Sequence, residues 1–516
     1  MKNNLSSASA AKTLLILVLS LIPAINWATE STPVKDLPDR ISAIETLNDQ
    51  INQVVEMIGR EDWAAALPLM KRVIEAPAFE YLPLDRRRAL LTSASGVAFT
   101  LDDYKLAQTY AIRACALPDP SPHVFQIRLY ASFYLDDWPD AAQALMYIAK
   151  TPKALAAVND DVIFRIINEL KKSATNAATS FDLMAALYAA SWKIDGIYEP
   201  SYVWRDYAIA LIERQRTAEA KKSLLRIQQP SSLISIRVDK RFGPIFKSSP
   251  EIFDIDKAVN ADIGNLRKLM RESPRSMLAV MQLTYALLKA RRYDEVLSLT
   301  NDVMQKMNEH AGTKPAYDDG NEKFIWILNN RAIALGGLGR RDEELELLVR
   351  AARRPEHGEP NVSQAINLGE FYCELGRPKD ALFAILDVEK TSPYGKSQME
   401  LVHLCAGLQL EDKEAVASAL NYLKEHQADS PRTYQGALID VQDFDGAAAI
   451  LIGRLNDPSL RADALVEVQN YIDPTDLPWP TKSREHFRTV INRDDVQNAI
   501  QKVGRIESFN LRSDLN

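Results

Sequence analysis

The chain has 516 residues, of which 47% are hydrophobic and 25% are charged, and its formal net charge is −7. This composition is typical of a folded protein and excludes a largely disordered one. The acidic balance argues against nucleic acid or an anionic membrane surface as the main partner, so no nucleic-acid partner is predicted.

The first 28 residues have the pattern of a secretory signal peptide. Lys2 and Lys12 precede an apolar run over residues 14–22, which is too short to cross a bilayer but suits the hydrophobic region of a signal peptide. We therefore expect residues 1–28 to be a signal peptide and the protein to be exported, periplasmic in a Gram-negative cell and secreted otherwise. No later apolar stretch is long enough for a transmembrane helix, so none is expected after signal removal.

An N-terminal block of helix pairs is predicted over residues 41–228. Three of its turns share an acidic pair, then an aromatic residue, then an alanine three positions further on. An aspartate here caps the next helix and complements its dipole, which explains the acidic pairs without general acid–base catalysis. The turns are Glu61-Asp62-Trp63 with Ala66, Asp102-Asp103-Tyr104 with Ala107, and Asp136-Asp137-Trp138 with Ala141.

Residues 229–257 are rich in proline and serine and interrupt the helical periodicity. We expect an irregular junction there, between the first block and a C-terminal block of repeats over residues 258–470. Just before the junction, residues 188–207 hold six closely placed tyrosines and tryptophans. If these side chains were exposed, they would suit a sugar-binding groove.

The clearest repeat of the second block covers residues 367–393. On its first helix, Leu368, Gly369 and Tyr372 share one face, and Gly369 leaves room for a neighbouring helix to approach. Gly376 follows where this helix must end, in a position where glycine takes the left-handed conformation without steric penalty.

The second helix of this repeat begins at Pro378, because a proline at the first helical position loses no hydrogen bond. Ala381, Ile385 and Val388 then recur with helical spacing and form an apolar stripe that faces the first helix. The small side chain of Ala381 is expected at the closest contact of the pair, a position that we call the small-residue slot.

This order of residues resembles the tetratricopeptide repeat, a helix pair of about 34 residues. The resemblance implies an all-α fold, a right-handed α-α superhelix of about nine to eleven such pairs. Nine units are recognisable, and two double-length intervals between them each predict a further pair. Beyond the three turns described above, the small-residue slot is taken by Ala220, Val296, Glu344, Ala381, Ala415 and Ala447.

Residues 471–516 are predicted to form a stiff, proline-containing connector and one capping helix near residues 484–503. Terminal repeats need a polar outer face, and the charged sequence of this segment suits that position.

No cofactor, metal or catalytic site is predicted. The six histidines are scattered, and none stands in a metal-binding motif. A further acidic pair, Asp318-Asp319, lies in a polar loop and is, with Asp102-Asp103 and Asp136-Asp137, one of three candidates for general acid–base chemistry. Cys115, Cys373 and Cys405 are expected to remain without structural disulfides, because cysteine on a packed helix face serves as a small hydrophobic residue.

One set of residues points to a binding surface. Asn367 directly precedes Leu368, and Asn330 and Gln282 occupy the matching position in the two preceding repeats. Some tetratricopeptide superhelices carry a ladder of asparagines at this position that binds peptide backbones, since an amide both donates and accepts hydrogen bonds. The resemblance therefore implies a partner-binding groove formed by Gln282, Asn330 and Asn367 and flanked by Lys289, Arg331 and Glu370.

The sequence thus predicts an exported, non-catalytic scaffold that binds a protein or peptide segment in a concave groove. One alternative is an accessory protein of cell-envelope assembly or of exopolysaccharide export and secretion, with partners in the polysaccharide machinery. Another is a helical-toroid carbohydrate-active enzyme, which requires a closed ring of helices around an acidic pocket.

Overall fold

A computed structural model describes residues 38–194, 198–310, 315–355, 361–389, 391–472 and 477–512. The predicted signal peptide, residues 1–28, lies outside these ranges. The chain forms two compact units, one up to Tyr207 and one from Ala208. Helices build both units, and the predicted all-α architecture of successive helix pairs is confirmed. Within the described ranges, no helix is long and apolar enough to cross a membrane.

The unit up to Tyr207 is formed by helices that we number α1 to α10, the last of which continues into the second unit. Two short 3₁₀ turns, Pro77–Tyr81 and Ala174–Asn176, interrupt the series. The helices are α1 Pro38–Gly59, α2 Trp63–Glu75, α3 Leu84–Thr100, α4 Tyr104–Cys115, α5 Pro122–Tyr134, α6 Trp138–Ile148, α7 Pro152–Leu155, α8 Asp160–Lys171, α9 Ala177–Ala189 and α10 Ser201–Glu213.

The unit from Ala208 contains seventeen further helices in its described residues and two short strands, which pair in parallel. Its elements are α11 Thr217–Leu224, α12 Pro230–Val238, α13 Gly243–Ser248, α14 Ile255–Glu272, α15 Met277–Lys289, α16 Tyr293–Glu309, α17 Gly320–Gly337, α18 Arg341–Ala352, α19 Val362–Glu374, α20 Pro378–Ala384, α21 Pro393–Leu410, α22 Lys413–Glu425, α23 Pro431–Asp440, α24 Phe444–Asn456, α25 Arg461–Glu467, β1 Asn470–Ile472, α26 Pro478–Ile491, α27 Asp494–Val503 and β2 Ser508–Arg512. Helix α12 packs against α25, so the beginning and the end of this unit are in contact.

Nine turns between paired helices, counted over the described residues, share one backbone conformation. One residue in each turn is left-handed, with φ between 57° and 75°. The amide of the next residue donates to the carbonyl five positions earlier and ends the first helix. Only two of the nine are glycine, although a left-handed residue with a side chain costs about 1–2 kcal/mol. The nine are Glu61, Asp102, Asp136, Gln215, Arg291, Gly339, Gly376, Glu411 and Gln442.

The residue after the left-handed position caps the second helix in one of two ways. Where it is aspartate, its carboxylate accepts a hydrogen bond from a backbone amide of the first turn, as predicted for Asp62, Asp103 and Asp137. Where it is arginine, its guanidinium pairs with an acidic residue three positions later, which complements the helix dipole. The sequence analysis missed this second kind, which comprises Arg216 with Glu219, Arg292 with Glu295, Arg340 with Glu343 and Arg377 with Asp380.

The small-residue slot lies five residues after the left-handed position. Its alanines are completely buried, with an exposed fraction of 0% at Ala66, Ala107, Ala141, Ala220, Ala381 and Ala447. In the repeat with Glu411, the fifth residue is Val416, so the prediction of Ala415 is wrong by one position. Gly407 makes the space for this larger side chain, since a Cβ added to Gly407 would lie 3.0 Å from Val416 Cγ2.

Gly369 permits the predicted close approach within its repeat. A Cβ there would lie 3.1 Å from side-chain atoms of Ile385 and Val402 and 3.3 Å from the carbonyl oxygen of Ala381. The second helix, α20, ends at Ala384 and is shorter than the predicted apolar stripe. Ile385 nevertheless remains buried, because the turn after the helix keeps it in the same core.

Two parts of the chain differ from their predicted organisation. Residues 230–253 hold α12, α13 and the 3₁₀ turns Lys240–Phe242 and Pro250–Phe253, and the division between the compact units falls within α10 instead. The single capping helix near residues 484–503 is two helices, α26 and α27. The strand pair β1–β2 has no counterpart in the predicted elements.

The aromatic residues of 188–207 belong to the core of the first unit. Trp192, Trp204 and Tyr207 are buried, and Tyr188 meets the ring of Trp204 edge-on at 5.3 Å between centroids. Tyr188, Tyr198 and Tyr202 are half-buried, so this packing speaks against an open sugar-binding groove at these rings.

All three cysteines are free. Cys373 and Cys405 lie side by side on α19 and α21, and the Cys373 thiol donates weakly to the Val402 carbonyl at 3.8 Å. A hydrogen bond with the Cys373 thiol, together with burial, raises the pKa of Cys405. The two thiols thus pack between adjacent helices without a disulfide.

The repeated turn predicts opposite effects for the same substitution at two glycines. Gly376→Ala places a side chain at φ +71° and is expected to lower the free energy of unfolding by about 1–2 kcal/mol. Gly436→Ala, in α23 with nothing within 4 Å of the added Cβ, is expected to raise it by up to about 1 kcal/mol. Urea unfolding followed by circular dichroism measures both, and equal effects at the two positions would contradict the assignment of the turn.

Candidate functional site

The predicted row of amides lies within the second unit, but its members have different environments. Asn330 on α17 is only 5% exposed, and its Nδ2 donates to Thr284 Oγ1 at 2.8 Å. Asn367 on α19 is half-buried and donates to Asn329 Oδ1 at 3.1 Å. Gln282 on α15 is also half-buried. Asn330 therefore joins two helices instead of facing an open surface, whereas Gln282 and Asn367 are partly accessible.

The three charged residues predicted beside the amides also differ in their environments. Arg331 donates to the Leu297 carbonyl and to Thr300 Oγ1, at 3.1 and 2.9 Å, and so joins α17 to α16. The Lys289 ammonium lies 5.5 Å from the centre of the half-exposed Tyr285 ring. Burial raises the pKa of Glu370 to about 7. Of the three, Lys289 and Glu370 lie where a ligand could meet them.

The residues that follow α27 form an extended segment that packs against earlier elements of the second unit, and no sequence motif marks it. This return segment comprises residues 504–512 and ends with β2. It begins at Gly504, which forms an antiparallel bridge with Asp239 at the end of α12. A Cβ on Gly504 would lie 2.5 Å from Leu465 Cδ2 and 2.8 Å from the Val238 carbonyl oxygen. Only glycine fits between these groups without a shift of the backbone.

Charged side chains fix the start of the return segment. Glu507 accepts from Arg237 Nε and from Arg505 Nε, both at 2.6 Å. The Arg505 amide donates to the Val238 carbonyl at 3.0 Å, and its guanidinium lies 4.8 Å from the centre of the Phe246 ring. Two arginines on one carboxylate, one stacked on an aromatic ring, form a charge-assisted anchor.

The buried side chain of Gln469 binds the backbone of the return segment at two points. Its Nε2 donates to the Arg505 carbonyl at 3.1 Å, and its Oε1 accepts from the Glu507 amide at 2.7 Å. The Asn470 amide adds a hydrogen bond to the Glu507 carbonyl at 3.0 Å. One amide thus recognises an extended backbone without reading its side chains, as expected for the predicted row, but at a different residue.

Strand β2 continues parallel to β1 and buries alternate side chains. Phe509 and Leu511 are 8% and 5% exposed, whereas Ser508 and Asn510 face outwards. The Phe509 ring lies 6.0 Å from that of Tyr471 on β1. The strand also contacts α15, the first helix of a repeat. This alternation is how an extended peptide is read when it adds to a strand.

The return segment brings Arg512 to an acidic cluster formed by Glu344, Glu370 and Glu374. Burial, followed by repulsion from Glu370 and Glu344, raises the pKa of Glu374 to about 7, while Arg512 opposes this rise. Burial also raises the pKa of Glu344, which pairs with Arg341 at 2.8 Å. Burial lowers the pKa of Arg512, and its interactions with Tyr293, Glu344 and Glu374 oppose this shift. Arg512 of β2 therefore lies near the carboxyl groups of Glu344 and Glu374, and Glu370 lies near Glu374.

Two glycines on α17 allow the cluster to form. A Cβ on Gly336 would lie 2.2 Å from Glu344 Oε1, and one on Gly337 would lie 2.5 Å from the Tyr293 ring. Glu344 occupies the small-residue slot, where the other repeats have a compact apolar side chain. Gly336 supplies the missing volume, so the repeat keeps its helix contact while holding a carboxylate.

The acidic pair Asp318-Asp319 serves structural contacts. Asp319 accepts from the backbone amides of Met277 and Leu278, at 2.6 and 2.8 Å, and so caps α15. Asp318 pairs with Arg275. Over the ranges that the structure describes, no group of three or more histidine, cysteine, aspartate and glutamate side chains is placed to hold a metal ion.

Gly504→Ala is expected to loosen the return segment. The added Cβ meets Leu465 and the backbone of Val238, so overpacking of about 1–3 kcal/mol is expected. Hydrogen exchange at residues 508–512 should become faster, and the urea midpoint should fall. Gly453→Ala, in α24 with open space around its Cβ, is the control; it should leave exchange at residues 508–512 unchanged and should raise the urea midpoint slightly instead of lowering it.

The acidic cluster predicts a pH-dependent gain in stability for Glu370→Gln. The folded pKa of Glu370 is about 7, above an unfolded value of about 4.3, so its contribution is fully present below pH 4.3 and is lost as pH rises through 7. The variant should therefore be more stable than the wild type by about 1–3 kcal/mol at pH 8, with a smaller difference at pH 5.

Urea unfolding of both proteins between pH 5 and pH 8 measures this difference. Glu346→Gln removes an exposed carboxylate on α18 and serves as the matched control for the loss of one negative charge. A Glu370→Gln effect that does not grow with pH would show that the carboxyl group is not dehydrated by the cluster.

Comparison with known proteins adds little to these observations. No protein-family model and no curated protein sequence matches the chain. Among solved structures, the chain is similar to the crystal structure of the APC/C hetero-tetramer Cut9–Hcn1, at 11% identity over 90% of this chain and 99% of that chain, with a TM-score of 0.22. It is also similar to a circular tandem repeat protein with novel repeat topology and enhanced subunit contact surfaces, at 13% identity over 96% and 98%, with a TM-score of 0.17. Scores this low support no functional inference, and the fold assignment rests on the chain's own helix pairs.

Proposed function

We propose that this protein is an exported, non-catalytic scaffold whose second unit binds an extended segment of a partner protein. The observation that carries the proposal is the return segment. Gln469 and β1 bind its backbone, two of its apolar side chains are buried, and its arginine meets the acidic cluster. A surface that holds one extended segment of its own chain has the chemistry to hold another.

The accessible side chains beside the return segment extend the binding surface along α15 and α19. Gln282, Tyr285 and Lys289 lie at helical spacing on α15, and Asn367 and Glu370 follow the same pattern on α19. An amide, an aromatic ring and opposite charges on neighbouring helices favour a polypeptide, which offers backbone hydrogen bonds and both signs of charge.

Export rests on the sequence pattern of residues 1–28. A cell-envelope assembly or polysaccharide-export role depends on that same pattern, and the burial of Trp192, Trp204 and Tyr207 leaves fewer exposed rings to support it.

A carbohydrate-active enzyme is the second candidate, because α12 packs against α25 and the unit holds carboxyl groups of raised pKa. Arg512 beside those carboxyl groups argues for a binding role instead. Glycan hydrolysis by the purified protein that is lost in Glu374→Gln would favour the enzyme.

Selection from a random peptide library on the immobilised full-length protein tests the scaffold proposal. Peptides enriched on the wild type should bind Gln282→Ala/Lys289→Glu at least tenfold more weakly, because this variant removes an amide and inverts a charge on the accessible face of α15. Gln305→Ala/Lys306→Glu makes the same changes at exposed positions of α16 and should bind as the wild type does. No enrichment, or equal loss in both variants, would refute the proposed surface.

A further inference from the structure

The return segment is held through contacts that do not require it to be covalently connected. Gln469 and Asn470 bind backbone atoms, which any extended peptide offers. The side chains that are read are Phe509 and Leu511, two positions apart, and then Arg512. Ser508 and Asn510 face outwards and impose no requirement on the sequence of an occupant.

The end of the segment fits its site imperfectly. The Nε atom of Arg512 is buried without a hydrogen-bond partner among the described residues. Burial lowers the pKa of Arg512, and the same burial opposes ionisation of Glu370 and Glu374. A buried donor without a partner weakens the bound state, so a segment that satisfies this donor position would compete with β2.

We propose that β2 is an internal ligand that occupies the site of the partner, and that the partner segment is an extended peptide with two apolar residues separated by one position and followed directly by arginine. This inference rests on the proposed scaffold function and specifies its ligand and its regulation. Binding requires β2 to leave, so the partner must displace Phe509, Leu511 and Arg512 from their contacts with β1 and the acidic cluster.

The chemistry of the site restricts the partner further. The parallel register with β1 requires an extended backbone, and Gln469 requires a free carbonyl and amide two residues apart, so proline at the position of Glu507 is excluded. The planar, five-donor guanidinium suits two carboxyl groups approaching from different helices, Glu344 of α18 and Glu374 of α19, while a lysine offers a single point of charge. Arginine is therefore expected to bind better than lysine.

A labelled octapeptide with the sequence of residues 505–512, Arg-Ile-Glu-Ser-Phe-Asn-Leu-Arg, tests the inference by fluorescence anisotropy on full-length proteins. The double substitution Phe509→Ser/Leu511→Ser, which we call the released variant, weakens the contacts of β2 with its site. The released variant should bind the octapeptide at least tenfold more tightly than the wild type. Ser508→Ala/Asn510→Ala alters the exposed side chains of the same strand and should bind as the wild type does. An octapeptide with glutamate in place of its last arginine should bind the released variant at least tenfold more weakly.

A released variant that keeps its helical circular dichroism and does not bind the octapeptide would overturn the inference. Should the variant unfold, hydrogen exchange on the wild type decides: excess octapeptide, but not a scrambled one, should accelerate exchange at residues 508–512, and no acceleration would refute displacement.

The library selection on α15 separates this inference from the scaffold function on which it rests. Library peptides that bind the wild type and the released variant equally would leave the scaffold function standing while removing β2 as its competitor.

Discussion

The packing of this protein depends on one constraint, the fixed length of the turn between paired helices. A left-handed residue ends the first helix, the next residue caps the second, and the small-residue slot follows at a constant distance. Because the turn has no freedom in length, the side chain in the slot always meets the first helix at its closest point. Seven non-glycine residues adopt the left-handed conformation at a cost of about 1–2 kcal/mol each. In return, the turn places the completely buried alanines of the slot at the contact between the paired helices.

The same constraint explains how a binding site arises inside a repeat. Glu344 occupies the slot in the repeat of α17 and α18, where its carboxylate is forced against the first helix. Gly336 gives it volume, and Gly337 gives the Tyr293 ring a place beside it. One exchange of a small residue for a glutamate, with compensating glycines on the facing helix, thus converts a packing position into an anionic one that Arg512 can approach.

The repeat and its turn could be predicted from the sequence where a residue type favours one backbone conformation or one packing position. Gly376, Pro378 and Ala381 each suit one backbone or packing position, and they identify the repeat correctly. Arg291 and Gln215 do not favour a left-handed conformation, so only their place in the repeat reveals it. Gln469 could not be identified, since its partners Arg505 and Glu507 approach it only through the tertiary fold. The sequence shows that Glu344 is an acidic residue in a slot for small residues. Its role could not be predicted, because Gly336, which makes space for it, and Arg512, which approaches it, are brought beside it only by the fold.

The energetics of the site follow from what the return segment does and does not satisfy. Buried carboxyl groups oppose their own ionisation, and each is stabilised when a cation arrives. Arg512 supplies that cation, but its Nε lacks a partner, so the compensation is incomplete. A strand whose polar groups were all hydrogen-bonded would be difficult to displace. Because one donor of β2 lacks a partner, β2 stabilises the site when no partner protein is bound and can still be displaced by a segment that binds better. The affinity of a partner is then set by the difference between its contacts and those of β2, because both must use Gln469 and the same carboxyl groups.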